Sequence, residues 1–454
     1  MRCTELGGPV HHDHLSFILI IYAYKYLILD VPITPSSQHT YHHYSLASMK
    51  IQVDNGKAMI KPYKIICSFL LILVSGTTAS ISKTTCPFQF LFHFGDGVTD
   101  IGNSIHVRPK MIIPAGLPPY GRTYPGYPTG RWSDGRVDFD FTAIDFGLPN
   151  IVPYLTLNQS MATRIDGVIF SVARSTVLDQ HFFRSRNIII PQFAVSLRQQ
   201  FLWFKNLLKS SCKTKKECAK WIGNSLVLMG DIEGNDIGYA LTQGKSIQQL
   251  KLIYVPLIVK TIIDTTREII ELGARRVIIP GNGPLGCYPY ILTALQTKDQ
   301  TAYDELGCLK SVNDFTIWKN KYLERAVESL RKEFPYVEIL DGVMYDGLRS
   351  LIANASVINS KGNKALKSCC GIGGKYNYDN KRFCGSKEVP VCKNPNDYIY
   401  WDGLHFTQQT QWEAEHMLIR PALEKLKCKA LPSAFLRRKR GKISEVASTY
   451  VSSY

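Results

Sequence analysis

The strongest constraint on this chain is how its apolar residues are grouped. Short, nearly continuous apolar runs alternate with longer stretches in which apolar residues recur at helical spacing. Phe88 to Phe94, Val168 to Val172, Ser225 to Met229, Arg276 to Pro280 and Val337 to Leu340 are strand candidates. Between them, Val255 to Leu272 places Val255, Val259, Ile262, Ile263, Ile269 and Ile270 near one helical face. Asn313 to Phe334 does the same with Phe315, Trp318, Tyr322, Leu323, Val327 and Leu330. A strand that is apolar along its whole length must be covered on both faces, and crossover helices of a parallel sheet do this. The pattern predicts an α/β fold in which ligands bind beyond the carboxyl ends of the strands. The residues that follow each strand therefore carry the functional information.

A chain of 454 residues would suggest about three domains by length alone. No internal repeat and no long Pro/Gly linker divides residues 86–430, however, and this span is expected to be one catalytic-type domain. A hydrophobic content of 45% with 20% charged residues excludes disorder of the whole chain. The formal net charge of +17 is spread along the sequence and predicts a generally basic surface, with no nucleic-acid partner. The one dense run, Arg437 to Arg440, lies in a Ser-rich segment without apolar periodicity. Residues 431–454 are expected to form a basic, disordered tail.

Residues 59–80 have the order of a secretory signal peptide. Lys61 and Lys64 precede an apolar core from Ile65 to Val74, and small residues follow from Ser75 to Ser80. The apolar core is shorter than the roughly 20 residues a membrane-spanning helix needs, so no stable membrane insertion is expected after cleavage. Residues 1–58 are expected to be an upstream extension without a fold of its own, with Met49 and Met59 as alternative starts. The scattered His11, His12, His14, His42 and His43 lack the spacing of a metal site. Ten cysteines remain downstream: Cys86, Cys212, Cys218, Cys287, Cys308, Cys369, Cys370, Cys384, Cys392 and Cys428. An even number without a Cys-x-x-Cys pair favours disulfides in an oxidising compartment. Cys212–Cys218 and Cys287–Cys308 are the most local candidate pairs. Asn158 and Asn354 head N-glycosylation acceptor triplets.

A series of segments in order suggests the chemistry. The first strand candidate runs into Phe94-Gly95-Asp96-Gly97-Val98-Thr99-Asp100-Ile101-Gly102-Asn103. Then come Pro118-Pro119-Tyr120-Gly121-Arg122 and the run from Pro128 to Arg136. Ile169 to Ser175, Glu233-Gly234-Asn235-Asp236 and Gly283 to Cys287 follow, then Cys369-Cys370-Gly371 and Trp401-Asp402-Gly403-Leu404-His405. Over about residues 86 to 430 this order resembles the plant GDSL esterase/lipase family of the SGNH hydrolase superfamily. The resemblance implies a three-layer α/β/α domain with a mostly parallel five-stranded sheet. It also implies a secreted carboxylic ester hydrolase acting on lipid or acetylated small-molecule esters, without a metal or organic cofactor.

In that family a serine attacks the ester, a histidine takes its proton, and a carboxylate orients the histidine. The resemblance assigns the last two roles to His405 and Asp402. The nucleophile's position falls on Gly97, which has no side chain. The oxyanion donors would be the Gly97 backbone N–H, a backbone N–H of the second block and the Asn235 side chain. Arg174 stands where the second block has a glycine, Ile169 replaces an asparagine, and Glu233 replaces a third-block glycine. Several losses at one site suggest relaxed constraint and an inactive or strongly impaired copy. Thr99 and Ser104 are the nearby candidates for a relocated nucleophile, and a water activated by His405 is an alternative. Asp96 is expected to point elsewhere. A secreted binding protein that keeps the ester pocket without turnover is the rival from another class.

Overall fold

The computed structural model describes residues 86–429, except 149, 158–164, 231, 343 and 359–363. The expectations for residues 1–58, the signal peptide at 59–80, Asn158 and the tail at 431–454 lie outside the described residues.

Six parallel strands form one sheet. They are β1 (Phe90–Phe94), β2 (Ile151–Pro153), β3 (Gly167–Ile169), β4 (Ser225–Met229), β5 (Arg276–Pro280) and β6 (Glu338–Gly342). Their spatial order is β2-β3-β1-β4-β5-β6. β1 pairs with both β3 and β4, with Phe92 opposite Val168 on one side and Val227 on the other. β1 thus lies inside the sheet; the chain next lays down the edge strand β2, returns inward as β3 beside β1, then crosses over to build β4, β5 and β6 outward on the other side. β1 with its two neighbours marks the topological switch point where such folds bind ligands.

Alternation along the strands sorts the core into two layers. Phe90, Phe92, Phe94, Val227, Met229, Val277 and Ile279 share one cluster. The helices Leu197–Ser211, Val255–Glu271 and Lys310–Glu333 cover it with Phe201, Phe204, Ile258, Ile262, Phe315 and Val327. Leu91, Leu226, Leu228 and Ile278 point the other way. There they meet Phe139 of helix Asp138–Asp145 and Leu423 of helix Arg420–Lys425. Helix Val255–Glu271 forms because its apolar residues keep helical spacing and Pro256 falls in its first turn, where no backbone donor is needed. Helix Leu197–Ser211 starts where the Ser196 side chain accepts from the Gln199 N–H.

The sheet has six strands, where the sequence predicted five. The additional strand, β2, is a half-buried edge strand of only 3 residues ending in Pro153, too short to show a period. The run from Val168 to Val172 stays buried, but its regular strand ends at Ile169. The chain there begins to turn toward β1, and the Val172 N–H donates to the Gly95 carbonyl (3.4 Å). All ten downstream cysteines pair: Cys86–Cys428, Cys212–Cys218, Cys287–Cys308, Cys369–Cys392 and Cys370–Cys384.

Candidate active site

The loops after β3, β1 and β4 meet at one end of the sheet. Asp100 fastens two of them. Its buried carboxylate accepts from the N–H groups of Gly102, Asn103 and Ser104 in its own loop and from Ala173 N–H (2.9 Å) in the loop after β3. Asn103 adds a second tie, its side-chain amide donating to the carbonyls of Ile169 (2.8 Å) and Ser171 (3.0 Å). The Asp-x-Gly-Asn segment is therefore the joint that sets Gly97 against the second block.

Asp402 and His405 lie in the turn preceding helix Gln408–Ala414. The Asp402 carboxylate accepts from His405 Nδ1 at 2.8 and 3.0 Å, and from the backbone N–H groups of Leu404 (3.0 Å) and His405 (2.8 Å). The Tyr120 hydroxyl donates to its second oxygen at 2.7 Å. Burial works to raise the Asp402 pKa, but the charge and hydrogen bond of His405, with Arg174 nearby, outweigh it and hold the carboxyl down at about 2. Trp132 packs on the imidazole, with ring centroids 4.9 Å apart. With Nδ1 held by Asp402, Nε2 is presented to Gly97. A Cβ placed on Gly97 would lie 2.2 Å from Nε2, 2.7 Å from His405 Cδ2 and 3.3 Å from the Ala173 methyl. The imidazole thus fills the volume that a side chain at position 97 would need. The same closeness leaves no room for a water between Nε2 and the Gly97 backbone.

The donors expected of an oxyanion site are present in altered form. Arg174 adopts φ +65°, a left-handed conformation that favours glycine, so the loop keeps a glycine-type turn under a bulky residue. Its guanidinium is 5.8 Å from the Trp132 ring, and its backbone carbonyl accepts from the Tyr239 hydroxyl (3.3 Å). Burial acts to lower the Arg174 pKa, but Tyr239, Tyr378, Asp402 and Tyr120 around it raise it on balance. The Asn235 side-chain amide donates to Asp96 (2.6 Å) and to the Ser175 carbonyl (2.9 Å). Asp96 turns toward Asn235, while its other oxygen accepts from Val98 N–H (3.0 Å). A carboxylate on a short turn finds the nearest free donors, and Asn235 supplies them across the β1–β4 junction.

Neither candidate for a relocated nucleophile reaches His405. The Thr99 hydroxyl donates to Ser171 (2.8 Å), and Ser171 in turn lies 2.9 Å from His93 Nδ1 in a buried network. The Ser104 hydroxyl accepts from the Trp132 indole (3.0 Å). Tyr120 and Trp132 were visible only as members of family blocks, and their contacts with Asp402 and His405 give them positioning roles. Glu233 forms a fully buried ion pair with Lys319, which also donates to Asn282 (2.8 Å).

Two clefts, of about 330 and 250 Å³, are lined by residues such as Val259, Arg267 and Tyr322, and by Leu366, Lys367 and Tyr376. Neither includes a residue of the Gly97–His405 cluster. Asp145, Glu415 and His416 bring ligand-type atoms within 4.8 Å of one another. The Arg420 guanidinium already sits among them, 3.1 Å from His416 Nε2 and paired with Asp145.

Residues 91–414 match the GDSL-like Lipase/Acylhydrolase family. Acetylajmalan esterase 2 of Rauvolfia serpentina is 42% identical over 370 residues, covering 81% of this chain and 98% of its own. Sinapine esterase of Brassica napus is 37% identical over 360 residues (78% and 92% of the two chains). A GDSL esterase/lipase of Arabidopsis thaliana is 35% identical over 361 residues (78% and 92%). With the three-layer fold and the ordered blocks converging on one sheet end, the chain belongs to the GDSL-like lipase/acylhydrolase family.

Proposed function

We propose that this chain descends from a secreted carboxylic ester hydrolase of small-molecule or lipid esters, and that its own turnover is lost or strongly impaired. The observation that carries this is the position of His405 Nε2 over Gly97, in the space a nucleophilic side chain would need. A serine protease-type site without its nucleophile has no acyl-enzyme route. The relatives' names, acetylajmalan esterase and sinapine esterase, support small plant esters as the ancestral substrate class. Purified domain incubated with 4-nitrophenyl acetate should release nitrophenol close to the buffer rate, and His405→Ala should not change it. Turnover well above buffer that His405→Ala abolishes would refute the proposal.

Secretion belongs to the same proposal. Five disulfides favour folding in an oxidising compartment, and no helix among the described residues is long and apolar enough to cross a membrane. Expression from Met59 in plant cells should deliver glycosylated protein, modified at Asn354 and Asn158, to the medium. Cytosolic, reduced and unglycosylated product would refute it.

The second reading, a binding protein without turnover, is favoured by the cation that Arg174 brings to the site. Its tyrosine surroundings offer a recognition surface that does not depend on a nucleophile.

A further inference from the structure

We infer that Arg174 has changed the ligand class of this site, from a neutral ester to the carboxylate of a free acid. The inference rests on reading the Gly97–His405 cluster as the family's ester site. An ester carbonyl is neutral when it binds and becomes an oxyanion only as bonds form, so neutral donors serve it. Here the side-chain donor among them is spent: the Asn235 amide donates to Asp96 and the Ser175 carbonyl within the protein. Beside it stands a permanent cation, held at φ +65° on the loop after β3.

That cation is short of an anionic partner. Among the described residues no carboxylate lies within 4.0 Å of the Arg174 guanidinium. Asp402 lies in its field but is already satisfied by Tyr120, His405 and two backbone N–H groups. Tyr239 lies beside the guanidinium but donates its hydroxyl to the Arg174 carbonyl (3.3 Å), which leaves the donors of the planar fork without a carboxylate. A half-buried guanidinium flanked by Trp132, Tyr239 and Tyr378 suits a carboxylate, which accepts two parallel N–H bonds from such a fork. The acid half of a cleaved ester has this chemistry. The site would then hold the kind of molecule its relatives release, with no bond made or broken.

Isothermal titration of the wild-type domain with benzoate and with methyl benzoate separates charge from shape. Benzoate should bind one-to-one and at least tenfold more tightly than its methyl ester. Arg174→Gln should weaken benzoate at least tenfold, to about the affinity of the methyl ester, and Arg174→Lys should retain part of the benzoate affinity. Equal affinity for acid and ester in the wild type, or no binding of benzoate, overturns the inference without relying on any variant. A parallel arm assays Gly97→Ser/Arg174→Gly for 4-nitrophenyl acetate hydrolysis. If that variant gains activity while the wild type ignores benzoate, the ester-site reading stands and the carboxylate inference falls. If neither occurs, both fall.

Discussion

His405 Nε2 occupies the point where a Cβ on Gly97 would be, so the imidazole and any side chain at position 97 compete for one volume. The histidine is held in that volume by Asp402 behind it and Trp132 beside it. A serine at 97 requires the imidazole to withdraw, and the ring is the far end of a rotatable side chain. Gly97→Ser is expected to raise 4-nitrophenyl acetate hydrolysis at least about tenfold. Adding Arg174→Gly should raise it further, because it removes a bulky cation from beside the oxyanion position while keeping the backbone N–H there. Steady-state assays check this, with His405→Ala in the same background expected to erase the gain. An unchanged rate in both reversions would mean that the imidazole cannot yield.

The Lys319–Glu233 pair offers a test of packing, because both side chains are buried within 3% of full enclosure. Removing one partner leaves an uncompensated charge, so Lys319→Met should cost about 3–5 kcal/mol. The double variant Lys319→Met/Glu233→Gln should recover much of that loss. Urea denaturation of the two variants and the parent decides it, and an undiminished midpoint in Lys319→Met would contradict the ion-pair account.

The bond between Cys86 and Cys428 closes 342 residues of chain, the longest loop of the five. Cys86→Ser/Cys428→Ser should lose about 2–5 kcal/mol. Cys212→Ser/Cys218→Ser, which opens a loop of only 6 residues, should lose less. Denaturant midpoints under identical non-reducing conditions compare the two directly.

Acid should weaken the fold through His93. Burial lowers its pKa from 6.5 to about 3, so the native state keeps it neutral while the unfolded chain takes up a proton. The stability it contributes is full above the unfolded pKa and is lost as pH falls from 6.5 toward 3. One group titrating in this way gives a slope of at most about 1.4 kcal/mol per pH unit. Asp402, whose carboxyl is held down to about 2, adds a second loss at still lower pH. His93→Gln should flatten the dependence between pH 6.5 and 3, as read from urea midpoints at several pH values. An unaltered slope would show that His93 is not the group responsible.

Legibility differed between levels of structure. Strands β4 and β5 were read to the residue, because a fully apolar run between helical stretches has one physical use. β2 was invisible, since 3 half-buried residues at a sheet edge carry no period. At the site, Asp402, His405 and Asn235 were named by their blocks, and the structure brings them to one sheet end. The turn of Asp96 onto Asn235 was missed because its cause lies 139 residues away, in the first turn of helix Glu233–Thr242 after β4. The glycine-type turn at Arg174 was foreshadowed by the block it interrupts. The closure of His405 onto Gly97 was not, because a missing side chain leaves no trace in sequence of what moves into its place. Cys212–Cys218 and Cys287–Cys308 were named as local candidates; adjacent Cys369 and Cys370 left open which of them meets Cys384 and which Cys392, and Cys86–Cys428 joins segments that only the finished fold brings together.

The Cys86–Cys428 bond also has a mechanical meaning. The two Cα atoms are 4.1 Å apart, so a pull applied upstream of one and downstream of the other would pass through the sulfurs and hardly enter the sheet. A domain tethered by its ends would carry tension as a knot in a rope does, with the load in a covalent link and the β1–β4 hydrogen bonds unstressed. Single-molecule stretching from both termini should then show no domain extension until a reductant is added.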